Sequence, residues 1–282
     1  MTTAVPFWRA APLSLLILAA FLIAWEIAVM PRAGQGPAVD PEYAALLGQA
    51  AAQGGTTPMP GPIAIGRRLA ELLADPFYVR GTNDQGIGVQ IAWSLLRVGA
   101  GFSLAALVAI PLGFLIGMSP LLNAALNPFI QVLRPVSPLA WMPLALYSIK
   151  DSAVSSIFVI FICSVWPMLL NTAFGVATVR REWLNVARTL EAGTWKTATR
   201  VILPAAAPTI VTGMRISIGI AWLVIVAAEM LVGGTGIGYW VWNQWNNLSI
   251  ADIVIAILMI GLVGLALDRL LGLAAAAVAW RE

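Results

Sequence analysis

Long apolar runs broken by short polar segments dominate the chain. Runs near 13–30, 98–118, 125–148, 153–177, 207–232 and 251–279 are each bounded by Pro, Gly, Asn or charged residues. About 20 apolar residues in a helix cross roughly 30 Å of hydrocarbon, so the pattern predicts an all-α membrane protein with six transmembrane helices. The one extended polar region is 31–89. From Pro31 to Pro62 it is rich in Ala, Gly, Pro and Gln without sustained periodicity, which predicts an ordered loop or short helices. Ile65, Leu69, Leu72 and Leu73 then recur at helical spacing beside Arg67, Arg68 and Glu71. That spacing predicts a short amphipathic helix, either in the membrane interface or packed on the transmembrane body. No internal repeat is visible.

Composition sharpens this picture. Of 282 residues 60% are hydrophobic and 10% charged, against about 25% charged in an ordinary globular domain. The apolar excess needs lipid as its solvent. High hydrophobicity excludes a disordered chain, and the lone Cys163 excludes a disulfide scaffold. No histidine is present, which removes His-based general bases, catalytic triads and the common zinc sites. No metal site or cofactor is therefore expected, and no catalytic residue.

Charge sets the expected topology. The 16 Lys and Arg residues form no basic stripe, so a nucleic-acid partner is not expected. Arg180, Arg181, Arg188, Lys196 and Arg200 instead crowd a short loop against only Glu182 and Glu191, which places that loop in the cytoplasm. Counting spans in both directions puts the N- and C-termini there too. Arg32, Arg67, Arg68 and Arg80 lie in a segment long enough to cross regardless of charge. Leu13 to Val29 follows Arg9, exceeds the usual core of a signal peptide and leads into Met30-Pro31-Arg32, so an uncleaved anchor is expected. The organisation expected is a tail and first span in 1–30, an external loop with a short helix in 31–89, and a five-helix core in 90–282 carrying the cytoplasmic loop 180–204.

That loop carries the strongest functional signal. Trp183, Leu184, Ala187 and Leu190 fall on one helical face, and Gly193 offers a break before a second helical segment reaching Leu203-Pro204. Two short amphipathic helices at a membrane surface make a docking knob. The loop resembles the EAA loop of ATP-binding-cassette importer permeases. Counting back from Pro204, Ala187, Leu203 and Pro204 match that pattern and Val201 fills its Ile position, whereas Asn185, Val186 and Glu191 depart from it. Where the family has Gly, Glu191 carries a Cβ that disfavours the turn, and Gly193 is expected to take the turn over.

The resemblance covers roughly residues 60–272. Asp75-Pro76-Phe77-Tyr78, Ser94-Leu95-Leu96-Arg97-Val98, Leu133-Arg134-Pro135-Val136-Ser137-Pro138, Asn185-Val186-Ala187-Arg188 and Ala227-Ala228-Glu229-Met230-Leu231 are similar to the nitrate/bicarbonate/cyanate branch of those permeases. It implies a type I importer permease fold in the bacterial inner membrane. It also implies separate ATP-binding subunits, an extracytoplasmic solute-binding protein and a second copy of the permease. A small inorganic anion, nitrate first, is the implied solute, with sulfonate or taurine import as the alternative. Coupling to the ATPase is implied for Trp183, Asn185, Ala187, Leu190, Glu191, Gly193, Leu203 and Pro204.

Gly233-Gly234-Thr235-Gly236-Ile237-Gly238 has a dinucleotide-like spacing but lacks the βαβ setting that fingerprint needs, so an outer turn followed by interfacial Tyr239, Trp240, Trp242 and Trp245 is expected. No Gly-x-x-x-x-Gly-Lys-Ser/Thr occurs, so an ATP-hydrolysing subunit must be separate. Gly113 and Gly117 form a small-x-x-x-small pair suited first to packing within the chain. For a translocation path or outer gate the charged candidates are Arg134, Arg215 and Glu229. The two arginines suit an anion, and a buried carboxylate does not, so Glu229 is expected to bond the Gly-rich turn or Trp indoles. A stand-alone secondary carrier would show inverted repeats or paired intramembrane carboxylates, and a membrane enzyme would show convergent acid/base groups. Neither is found.

Overall fold

The computed structural model describes residues 7–30, 59–81 and 84–278. Helices are α1 (Phe7–Val29), α2 (Pro62–Ala74), α3 (Ile87–Met118), α4 (Pro120–Leu133), α5 (Met142–Ile149), α6 (Ser152–Ala177) and α7 (Arg181–Thr189). They continue with α8 (Thr194–Val232), α9 (Ile237–Asn246) and α10 (Ile250–Val278). No strand occurs among the described residues, only an isolated bridge between Val79 and Gln85. The expected fold of 31–62 lies almost wholly outside the described residues.

Among the described residues five helices are long and apolar enough to span a membrane: α1, α3, α6, α8 and α10. The third predicted span, 125–148, is not one helix. It is α4 followed by a 3-10 turn at Pro138–Trp141 and α5, bent by 85° at the break. Two prolines explain the correction. Ser137 is extended (φ −57°, ψ 127°), as a residue before proline prefers, and the turn starts at Pro138. Other boundaries follow local capping. Ser119 Oγ accepts from the Leu122 N–H at 3.3 Å with Pro120 at the first helical position, and Asp151 Oδ1 accepts from Val154 N–H at 2.8 Å to start α6.

The chain divides into two compact units. One comprises Met1–Asp75 and Asn243–Ile257. Within it, Arg68 makes a forked contact with Asp252 (Nε to Oδ1 2.8 Å, Nη2 to Oδ2 3.2 Å) and also reaches Glu71 at 3.0 Å. Ser249 Oγ donates to Asp252 Oδ2 at 2.9 Å. The amphipathic helix α2 is thus held by its polar face to the start of α10. Asp252 and then Glu71 push the Arg68 guanidinium still further above its ordinary pKa, so it stays charged. Glu26 Oε2 accepts from the Ile63 N–H at 3.4 Å, placing a carboxylate at the positive end of α2.

The other unit comprises Pro76–Trp242 and Leu258–Glu282. Its core is α6 sandwiched by α3 and α8. Ala105, Ala109, Ile116, Val165, Met168 and Leu169 are buried together on the α3 side. Met142, Val159, Cys163, Val224 and Ala228 form a second cluster. Close approach depends on the predicted small-residue pair. A Cβ at Gly113 would stand 2.6 Å from the Leu169 carbonyl oxygen, and one at Gly117 would stand 2.6 Å from that of Ala173. Both glycines therefore serve packing within the chain. Outward-facing Leu, Ile, Val and Phe on the long helices remain for lipid or subunits to cover.

Candidate functional site

The loop between α6 and α8 folds locally. Helix α7 buries Ala187 (4% exposed) and half-buries Leu184 while leaving Trp183, Val186 and Leu190 (75% exposed) outside. The Arg180 guanidinium lies 5.6 Å from the centroid of Trp183, a cation–π contact. Trp183, Val186, Leu190 and Ala192, with Lys196 and Arg200, border an exposed recess of about 430 Å³. Asn185 is exposed, and its carbonyl accepts from Thr189 Oγ1 at 3.0 Å. Exposed apolar hollows of this kind occur at surfaces that contact protein, membrane or ligand.

The turn that ends α7 departs from the sequence expectation. Glu191 itself adopts the left-handed conformation (φ 50°), and Gly193 is extended (φ −60°, ψ 158°) at the start of the next helix. Two bonds close the turn: Glu191 N–H to the Arg188 carbonyl and Ala192 N–H to the Ala187 carbonyl, both 2.9 Å. This is the Schellman arrangement, with Glu191 where Gly is favoured. The second segment is not a separate short helix. From Thr194 it passes through a wide π-type turn at Ala198–Ile202 straight into Leu203–Val232. Leu203 is exposed and Pro204 half-buried at the start of that long stretch.

At the far end of α8 a polar cluster is sealed inside the second unit. Glu229 is 1% exposed. Ser94 Oγ lies 2.8 Å from both its carboxylate oxygens, Arg97 Nη1 donates at 2.7 Å, and the Gly238 N–H donates at 3.0 Å. Arg97 also donates to the Thr235 carbonyl. Gln90 Oε1 accepts from the Gly236 N–H at 2.6 Å, and Ser94 Oγ lies 2.9 Å from the Ile237 N–H. The free N–H groups at the start of α9 are thus satisfied by α3 and α8 side chains, with a carboxylate at the helix's positive end. Gly233, Gly234 and Gly236 all have positive φ (78°, 97° and 150°), which is why this turn is glycine-rich. Glu229 bonds the Gly-rich turn, as expected from its charge, and no Trp indole takes part among the contacts shown. Of the predicted aromatic belt, Trp240 is buried, while Trp242 and Trp245 are exposed.

The three path candidates occupy separate settings. Arg215 is paired with Asp268 through two 2.5 Å contacts between α8 and α10. Arg134 caps α4 at the break in the bent pair, is exposed, and makes no ion pair among the described residues. Ser94 and Arg97, the side-chain partners of Glu229, and Gln90, which accepts from the Gly236 N–H, were missed from sequence. Their signal was Arg97 itself, a charge inside a helix that is apolar on both sides.

Long apolar helices, a broken span and an exposed amphipathic knob between two spans define a multi-pass transport permease. The chain belongs to the family described as the binding-protein-dependent transport system inner membrane component, which it matches over residues 109–280. It is 44% identical to the "Nitrate import permease protein NrtB" of Synechocystis sp. over 83% of this chain and 85% of that protein. It is likewise 44% identical to the "Bicarbonate transport system permease protein CmpB" of Synechococcus elongatus over 79% of this chain and 82% of that protein. In fold it is similar to a chain of the inward-facing MetNI methionine ABC transporter, with a TM-score of 0.54 and 15% identity over 67% of this chain and 94% of that one.

Proposed function

We propose that this chain is the membrane-spanning subunit of an ATP-driven importer for a small planar oxyanion, nitrate first. The exposed apolar hollow of Trp183, Val186 and Leu190 carries the reading, because an isolated membrane protein gains nothing from presenting such a surface to water. A separate ATP-binding subunit docks there and supplies hydrolysis. Trp183, Leu190 and neighbouring Asn185 meet it directly. Ala187, Glu191, Gly193, Leu203 and Pro204 shape the knob and its junction with α8. The basic loop faces the cytoplasm, as do both termini. A second copy of the chain completes the channel, and a solute-binding protein delivers the anion on the other side.

Nitrate and bicarbonate are both planar oxyanions, and the equal identity to permeases named for each supports that class. Sulfonate import is the competing reading. The complete system reconstituted in vesicles decides between them: uptake of labelled nitrate, competed by bicarbonate and cyanate more strongly than by taurine, is expected. Taurine uptake without nitrate uptake would move the chain to a sulfonate importer. Transport by the purified chain alone, without ATP, would make it a secondary carrier.

A further inference from the structure

Arg134 borders two neighbouring recesses, of about 470 and 500 Å³, which share it and Leu170. The first is walled by Trp166 and Asn171 of α6 and by Ile220 of α8. The second includes Asn127 and Gln131 of α4. No carboxylate borders either one. Arg134 stands at the break of the bent pair, after the 14 residues of α4, about 21 Å of rise, and the recess wall comes from residues inside two spans. Irregular backbone and an ionised side chain at membrane depth are tolerated where they line a wet cavity, and a charge there marks a functional site. Arg215 has its charge answered by Asp268, and Arg97 by Glu229. Arg134 has no such answer among the described residues.

The donors around Arg134 have one character. Its guanidinium presents N–H groups in a planar fork and no acceptor, and the Trp166 indole offers only an N–H. Asn171 spends one amide N–H on the Pro167 carbonyl at 2.8 Å, which leaves its other N–H available. A planar oxyanion matches a guanidinium fork edge to edge. One charge and two neutral donors hold it weakly enough to let it leave, as a conduit requires. Building on the importer reading above, we infer that Arg134, with Trp166 and Asn171, forms a transient station for a small planar oxyanion passing between the two recesses.

The test uses the complete transporter in vesicles of zwitterionic lipid, with nitrate uptake as the readout. Arg134→Gln is expected to lower uptake at sub-saturating supply by about tenfold, the scale of one charge-assisted contact. Arg134→Lys, which keeps the charge without the fork, should retain more. Asn171→Asp keeps the side chain's size and sets a carboxylate in the recess beside an intact Arg134, so it should lower uptake as well. It also serves should Arg134→Gln fail to assemble. Wild-type uptake that neither Arg134→Gln nor Asn171→Asp diminishes overturns the station alone. A loss that appears only when the vesicles contain phosphatidylglycerol assigns the guanidinium to a lipid phosphate and also overturns it. A wild-type system that imports no anion at all overturns the importer reading and the station together.

Discussion

Glu229→Ala would remove the acceptor at the centre of the sealed cluster, and the structure sets the scale of the loss. Ser94 and the Gly238 N–H would each lose a contact to the carboxylate (2.8 and 3.0 Å), about 1.5 kcal/mol apiece at the low end for bonds to a charged group. Arg97, whose side chain is 12% exposed, would stay buried with its charge unpaired. Breaking a buried pair costs about 3–5 kcal/mol, and the lower end applies because Arg97 keeps the Thr235 carbonyl. The total is about 6 kcal/mol. Glu229→Gln keeps the volume and one acceptor for Arg97, so its loss should be roughly half as large. The decisive variant is the double one. If the orphaned guanidinium dominates, adding Arg97→Met to Glu229→Ala should restore about 2 kcal/mol. Unfolding of the purified protein in mixed micelles titrated with sodium dodecyl sulfate, followed by helical circular dichroism, measures all three. A double variant less stable than Glu229→Ala, or a Glu229→Ala within about 1 kcal/mol of wild type, would refute the reasoning.

Three further outcomes follow from the same geometry. Glu191→Gly should stabilise the knob by about 1 kcal/mol, because a left-handed non-glycine residue costs that much or more; the same unfolding titration reads it, and a destabilised variant would contradict the turn. Leu190→Asp, at a site 75% exposed in the free chain, should leave the fold intact and weaken association with the ATP-binding subunit at least about tenfold, since docking would desolvate the new charge; a binding titration with unchanged affinity would exclude the hollow as the docking face. Cys163, 4% exposed on the wall of the first recess, should react with a bulky membrane-impermeant maleimide far more slowly in the folded protein than after unfolding, and equal rates would contradict its burial.

The spans were legible because lipid imposes length and apolarity on any crossing helix, and most predicted boundaries fall within a few residues of the observed ones. The third span misled because hydropathy runs unbroken across Arg134–Ser137; only the prolines at 135 and 138 announced the bend. Helix α3 begins at Ile87 rather than near 98, and that shortfall hid Gln90, Ser94 and Arg97 from the reading of charged spans. Ser94 and Arg97 reach Glu229 across about 130 residues of sequence, and Gln90 reaches Gly236 across a similar distance, where no local periodicity reports contact. The sign of the carboxylate still pointed to a hydrogen-bonded structural setting. Glu191 shows the opposite limit. Its left-handed turn follows from the bonds that close α7, and these outweigh the local preference that had favoured Gly193. Ala187 borders the same hollow but is only 4% exposed, so an Ala187→Asp variant would report on folding as well as on docking.

Thr194–Val232 is a single 39-residue helix, and its soft points are unevenly spread. The π-type turn at Ala198–Ile202, Pro204 and Pro208 all lie within its first half, where backbone bonds are missing or lengthened. Beyond Pro208 the helix continues without another proline to Val232, roughly 36 Å of rise. Mechanically this is a wrist joined to a stiff shaft. The knob sits at the wrist and Glu229 at the shaft's far tip. A swing of about 5° at the wrist would carry that tip about 3 Å sideways by the same rise, comparable to the length of the hydrogen bonds that moor it to Ser94, Arg97 and Gly238.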